Sequence, residues 1–539
     1  MKHTINLQRI VIFLLITICV STAGLGQSKP TKEKVLSTMK EATRYMMDKV
    51  SYKSGFVWNY LPDFSRQWGE LEAYRTMVWV QAPSTPEVGH LLLDAYHATG
   101  DEYYYESAKK VADALIWGQL PCGGWNYMFD FSGEGSLKQW YATIGRQAWR
   151  LEEFQHYYGN ATFDDSGTIQ AGKFLLRLYV EKNDPIYKPA LEKVIRFVLE
   201  SQYPNGGWPQ RYPLMYDHVF QGKRDYSSFI TLNDDVSMTN IEFLVQCYQA
   251  MGLQNIKEPI TRAMNLMIAL QQGVPYAGWS DQYTPEDLKP AHARSYEPRA
   301  IGTGVTIETI YLMFTYYKLT GETKFIAGIP AALDFLESMQ LPDSEKAKYG
   351  KKSRNPDDVL LPRFINPDTG IPLYIHRKGS NVDNGYYYID QDISNTLAHY
   401  GSGVYTNLKE LRKEYEAIKN ISAKELTRNS PLLENKGISL GKYYTRMMQN
   451  QPIDDDNIIK IIKGFTKEGC WLTPLSMISN PYKPLEHVKA IKSDDTRYTS
   501  TYVGDEYDTS CYKSDTPIMG ISTGVYIANM AKMIQYIDK

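Results

Sequence analysis

The chain has 539 residues and a formal net charge of −2. That balance excludes a general binder of nucleic acid or anionic membranes, so an acidic ligand would have to be held by a local basic cluster or a metal. The five cysteines are scattered and lack ligand spacing, which excludes a disulfide framework and a cysteine-based zinc site.

At the amino terminus, Lys2 and Arg9 precede an apolar run from Ile10 to Val20, followed by small residues from Ser21 to Gly24. This order predicts a secretory signal peptide over residues 1–27. The run is too short for a spanning helix, which needs about 20 apolar residues. Ile18 before Cys19 fits a lipoprotein cleavage site poorly, so release is expected, and the mature protein is placed in the periplasm or outside the cell. Cys122, Cys247, Cys470 and Cys511 then remain, enough for one bridge. No later segment is apolar enough to cross a bilayer.

From residue 87 to 340 the apolar positions recur at three and four, the period of a helix rather than a strand. A repeated unit is visible. Thr99-Gly100-Asp101 leads through Ala108, Val111, Ala112 and Leu115 to Gly123-Gly124-Trp125. Asn183-Asp184 leads through Leu191, Val194 and Phe197 to Gly206-Gly207-Trp208. Glu258-Pro259 leads through Met264 and Met267 to Gly278-Trp279, and Thr320-Gly321-Glu322 opens a further copy. Helices of the same period lie between, at Glu87–Thr99, Thr239–Ala250 and Thr303–Thr320. The pattern predicts an all-α fold: helical hairpins in an (α/α) toroid or partial barrel, with a stacked solenoid as the competing layout. The Gly-Trp loops would share one face, where each Trp either caps its hairpin or offers a flat surface to a sugar. The hairpins of residues 28–165 are expected to precede a motif-rich catalytic region, 166–539. Asp343–Asp358 reads as a charged, solvated loop.

Three motifs concentrate polar residues between the apolar runs: Asn205-Gly-Gly-Trp-Pro-Gln-Arg-Tyr-Pro213, then Ile230-Thr-Leu-Asn-Asp-Asp-Val-Ser-Met-Thr-Asn240, then Gly278-Trp-Ser-Asp-Gln-Tyr-Thr-Pro285 running on to Ala293-Arg-Ser-Tyr-Glu-Pro298. Acids before a helix, such as Asp234 and Asp235, are by themselves ordinary caps and first-turn charges. A fourth piece runs from Pro362-Arg-Phe to Gly370-Ile-Pro-Leu-Tyr-Ile-His-Arg-Lys-Gly379.

In this order the motifs resemble the pectate lyases of polysaccharide lyase family 10, over roughly residues 170–400. The resemblance implies a toroid fold and calcium-assisted β-elimination on polygalacturonate. Asp234 and Asp235 match the family's metal-ligating pair, with Asp281 as a further ligand, and Arg377 matches the position of the catalytic base. A guanidinium is a poor base, so Arg377 either takes the C5 proton or stabilises the dianion. Arg211, Lys289 and Arg294 would bind substrate carboxylates, Arg most naturally in bidentate fashion. Trp208 would offer a stacking face, and Glu297 would hold Arg294. The chain departs from the family at Gln282-Tyr-Thr-Pro285, where Thr284 replaces an aspartate; Asp281 or Asp287 would take its place, or the substrate would complete the calcium shell. Two other readings stay open: a toroid glycoside hydrolase pairing an Asp of the 234–235 pair with Glu297, and a non-catalytic toroid that binds acidic glycans. The chain is expected to act as a monomer.

Overall fold

The computed structural model describes residues 29–147, 151–215, 219–220, 223–349, 351–378, 386–394, 396, 402–433, 440–444, 453–475 and 518–538. The proposed signal peptide and Cys511 lie outside them; Cys122, Cys247 and Cys470 carry free thiols.

Helices dominate. In chain order they are α1 (Lys32–Tyr45), α2 (Thr85–Thr99), α3 (Glu102–Gly118), α4 (Glu134–Thr143), α5 (Gly167–Lys182), α6 (Lys188–Glu200), α7 (Val236–Met251), α8 (Lys257–Ala269), α9 (Thr303–Thr320), α10 (Lys324–Ala327), α11 (Ile329–Ser338), α12 (Asp343–Tyr349), α13 (Leu408–Lys419), α14 (Ala423–Leu426), α15 (Asp455–Lys463) and α16 (Thr523–Ile537). Local chemistry sets their ends. Ser84 and Glu87 form a reciprocal capping box at the start of α2, Gly100 stops it in the left-handed region at φ 68°, and the Asp101 side chain caps α3. The segment read as a charged loop at Asp343–Asp358 opens with α12, so that expectation is corrected for its first half.

Helices α16, α2, α5 and α7 pack side by side in that order, and α9 follows beside α8. Helices α3, α6, α8 and α11 form an outer layer behind them. The last helix therefore packs against the first hairpin, closing the chain on itself as a toroid; a solenoid would keep its ends apart. Burial follows position. Outer helix α6 buries one stripe (Ala190, Leu191, Val194, Phe197), whereas inner helix α5 is buried on nearly every face from Gly167 to Leu178.

The Gly-Trp loops connect outer helices to inner ones through short antiparallel strand pairs: Met77–Trp79 with Met128–Asp130, Ala161–Thr162 with Arg211–Tyr212, Ile230–Thr231 with Gln282–Tyr283, and Ile301–Gly302 with Phe364–Ile365. Gly123 and Gly206 sit at φ 106° and 103°, and a Cβ there would strike the carbonyls of Lys193 and Arg262 on the next outer helix. Each tryptophan then turns inward. The indole N–H of Trp125 donates to Leu115 O at 2.7 Å, that of Trp208 to Val198 O at 2.8 Å and that of Trp279 to Met267 O at 2.8 Å. All three acceptors lie in the last turn of an outer helix, where carbonyls lack intrahelical donors. Trp471 does the same for Ile461 of α15, a fourth copy of the device. Gln119, Gln202 and Gln271 repeat a second one, each tying its loop to the neighbouring outer helix.

Candidate active site

The starts of α2, α5, α7 and α9 converge on a cavity of about 760 Å³, with α16 contributing Ile527. Two corners of the same build supply its acids. Thr162-Phe-Asp-Asp-Ser166 precedes α5 and Thr231-Leu-Asn-Asp-Asp235 precedes α7. In both, the last two residues are left-handed: Asp165 and Ser166 at φ 47° and 59°, Asp234 and Asp235 at φ 53° and 60°. Such backbone costs about 1–3 kcal/mol per residue. Neither Ser166 nor Asp235 caps its helix through its side chain. The strained turns instead present Asp165, Asp234 and Asp235 to the cavity, and Asp281 joins them from just before the strand Gln282–Tyr283 that follows the third Gly-Trp loop. The three metal positions read from the sequence thus share one cavity.

Burial pushes the Asp234 carboxyl well above its usual range, and Asp164 and Asp165 raise it further. Burial also pushes Asp165 up to about 7 and Asp281 up to about 6. Arg294 lies behind the corners, wholly enclosed. Its guanidinium meets Glu153 at 2.9 Å, Asp164 at 2.8 Å, Glu297 at 3.1 Å and, more distantly, Asp234 at 3.9 Å. Burial raises Asp164, but Arg294 and the Tyr127 hydroxyl outweigh it and hold that carboxyl below its usual value. Glu153 is pushed up to about 8 by burial despite Arg294. One cation cannot neutralise four carboxylates, so the cluster retains protons near neutrality.

This corrects several assignments. Arg294 is a buried hub and offers no charge to a substrate carboxylate here, while Glu297 holds it as expected. Arg211 is also enclosed, between the rings of Tyr127 (4.9 Å) and Tyr158 (4.7 Å), with its guanidinium on Asn126 at 3.2 Å. Trp208 is fully buried as a helix cap and has no face left for a sugar. Lys289 stands on the surface, paired with Asp287 at 2.8 Å, and Thr284 bonds the same aspartate; of the two candidates to replace the missing acid, only Asp281 lines the cavity. Arg377 falls on the strand Pro372–Lys378 opposite Tyr387, because an aromatic and β-branched run there pairs with Tyr386–Asp390. Its side chain lies outside the described residues.

The structure adds residues that had no assigned role, Arg363 of the fourth motif among them. Arg363 is the cavity's cationic side chain among the described residues, beside Asp281 and Glu308. Glu70 and Gln81 come from the amino-terminal part, and the Gln81 amide bridges Glu70 and Asp165. The site therefore draws on both sides of residue 165, inside the corner Asp164–Ser166. Asp165 carried a signal, since its corner repeats the Thr-x-x-Asp spacing of the Asp234 corner; Glu70 and Gln81 carried none.

Residues 137–384 match the family model described as pectic acid lyase. The chain carries a pectic acid lyase domain, and it is a polysaccharide lyase. The match overlaps the segment singled out by its motifs. Similar solved structures include a family 10 polysaccharide lyase from Cellvibrio cellulosa in complex with trigalacturonic acid (16% identity, 62% of this chain and 98% of that one, TM-score 0.41). An α-1,6-mannanase from Salegentibacter sp. HEL1_6 (10% identity, 94% and 100%, TM-score 0.38) and a sugar epimerase from a ruminal bacterium (12% identity, 58% and 73%, TM-score 0.37) are also similar. Likenesses at this level speak to neither substrate nor residues. No curated protein matches the chain.

Proposed function

We propose that the chain is an exported pectate lyase that cleaves α-1,4-linked polygalacturonate by calcium-assisted β-elimination. The observation that carries this reading is the charge of the cavity: Asp165, Asp234, Asp235, Asp281 and Glu308 face it together with Arg363. A polyanion enters such a cavity only if a cation stands between like charges. The donors are all oxygens, which suits a hard cation, and Asn233 Oδ1 and Asp164 Oδ1 are buried without hydrogen-bond partners. No three His, Cys, Asp or Glu side chains among the described residues close around one point. Asp234, Asp235 and Asp281 would thus supply part of the ligand set, and the uronate carboxylate the remainder.

Bound there, calcium would offset the uronate charge and the enolate-like charge that develops as the C5 proton leaves. The protein's own part is to orient the ring, place a base at C5 and let the O4 oxygen depart. Arg377 matches the family's catalytic stretch and takes the proton or stabilises the dianion, while Arg363 holds a carboxylate in the cavity. A second reading draws on Asp165 and Asp281, whose raised carboxyls suit a general acid of hydrolysis. The pectic acid lyase match favours elimination. Product analysis separates the two, since elimination leaves a C4–C5 double bond that absorbs in the ultraviolet and hydrolysis leaves none.

A further inference from the structure

The cavity changes character around the ring. On the α9 side, Arg363 stands with Asp281 and Glu308, and Asp235 adds to the same cluster. On the α2 and α16 side the lining is Trp58, Glu70, Gln81, Glu87, His90 and Tyr444, without a Lys or Arg among the described lining residues.

The acids on this second side are held by hydrogen-bond donors. Gln81 Oε1 accepts from the Trp79 indole at 3.1 Å, which turns the amide nitrogen toward Glu70, at 2.8 Å, and toward Asp165. The Trp58 indole fixes the Gln81 carbonyl at 3.0 Å, and Ser84 N donates to Glu87 at 3.1 Å. An amide N–H between two carboxylates competes with a cation for the same oxygens. Beside them the Tyr444 ring lies flat on His90, centroids 3.5 Å apart and planes 8° from parallel, with its hydroxyl on Gln170. The pair is braced from below. Arg177 donates to His90 Nδ1 at 3.1 Å and is itself paired with buried Asp94 at 2.6 Å, and Asp94 also accepts from Tyr444 N at 3.1 Å.

Fixed acceptors and donors beside a braced aromatic ring are the chemistry of a polyhydroxyl ring. Hydroxyls donate to the carboxylates, and the C–H face lies on the aromatic one. The same acids repel a second uronate. We propose that the α2–α16 side is a subsite for an uncharged sugar residue next to the uronate that reacts on the α9 side. The preferred substrate is then a chain in which a uronate is linked to an uncharged residue, either a neutral sugar or a uronate masked as its ester. This rests on the lyase reading above. Trp58, Glu70, Gln81, Glu87 and Tyr444 all lie outside the matched residues 137–384, so the flanking segments of this chain add the subsite to the lyase domain.

The test compares rates of double-bond formation with calcium on three polymers: de-esterified polygalacturonate, the same polymer partly methyl-esterified, and an alternating uronate–neutral sugar polymer. The full chain, Glu87→Gln and Tyr444→Ala are assayed on each. In the unmodified chain, kcat/KM should be at least about fivefold higher on one of the mixed polymers than on the polyanion; which one wins tells ester from neutral sugar. Glu87→Gln keeps the capping box and should narrow that ratio by raising activity on the polyanion, and Tyr444→Ala should lose activity mainly on the mixed polymer. Highest activity on the polyanion, with ratios unmoved in both variants, would overturn the subsite. If no polymer yields a double bond, the lyase reading fails, and calorimetry on trigalacturonate and its methyl ester decides the subsite alone. Tighter binding of the ester, with the preference lost in Glu87→Gln, supports it; equal or reversed preference overturns it.

Discussion

Arg294 shows how burial changes the meaning of a residue. Read as a substrate anchor, it should mainly affect binding when changed. As the counter-charge of Glu153, Asp164 and Glu297, it should govern stability instead. Arg294→Ala is expected to cost about 3–5 kcal/mol, because it leaves buried carboxylates unpaired; thermal unfolding measures it, and a variant with unchanged Tm would refute the hub. Arg377 is the residue proposed to act at C5. Arg377→Lys keeps the charge but loses the planar fork, so turnover should fall about 100-fold or more while substrate binding survives. Weaker binding with turnover intact at saturation would make it an anchor. Asp165 and Asp281, raised to about 7 and about 6, set a pH dependence. The folded chain holds protons there that an unfolded carboxyl releases near pH 4. Their stabilising contribution is thus full below about pH 4 and is lost as pH rises through 6 to 7. The calcium-free protein should melt lower at pH 8 than at pH 5, and calcium at pH 8 should raise the Tm; a rising Tm without calcium would contradict this. At this scale Asp234 and Asp235 stood out only through the motif resemblance, since acids before a helix are ordinarily caps, and Asp281 only as a replacement for the acid missing at Thr284; the fold brings all three to one cavity. Glu70 and Gln81 were not legible, since only folding brings them to Asp165, and Arg363 sat in the fourth motif with nothing local to mark it as facing a cavity.

Among the elements, the Gly-Trp loop is the repeating part, and its period could be read directly. What the period did not tell is which way the ring faces. Three indoles turn into the core and cap the last turn of an outer helix, so the choice between cap and sugar platform falls to cap. Trp208→Phe should therefore cost about 1–3 kcal/mol for the donor lost beneath Val198 and leave KM unchanged; a raised KM with an unchanged Tm would restore the platform. The strand Pro372–Lys378, which carries Arg377, begins within the Gly370-Ile-Pro turn. Its pairing with Tyr386–Asp390 is a non-local contact that local pattern does not announce.

For the molecule as a whole, helical periodicity predicted hairpins, but the toroid is settled by the packing of α16 on α2, a contact between the chain's two ends. That closure makes the amino-terminal hairpin and the last helix parts of the cavity wall, so the lyase domain and its flanks form one site. The central claim is that this carboxylate-lined cavity performs elimination with a bound cation. It is tested most directly by incubating the protein with polygalacturonate and with its partly esterified form, following ultraviolet absorbance with calcium, with a chelator, and after calcium is restored. Absorbance should rise with calcium, be lost in chelator and recover on re-addition, with Asp234→Ala failing to respond to calcium. Chain cleavage without any rise in absorbance, or a rise indifferent to chelation, would contradict that claim.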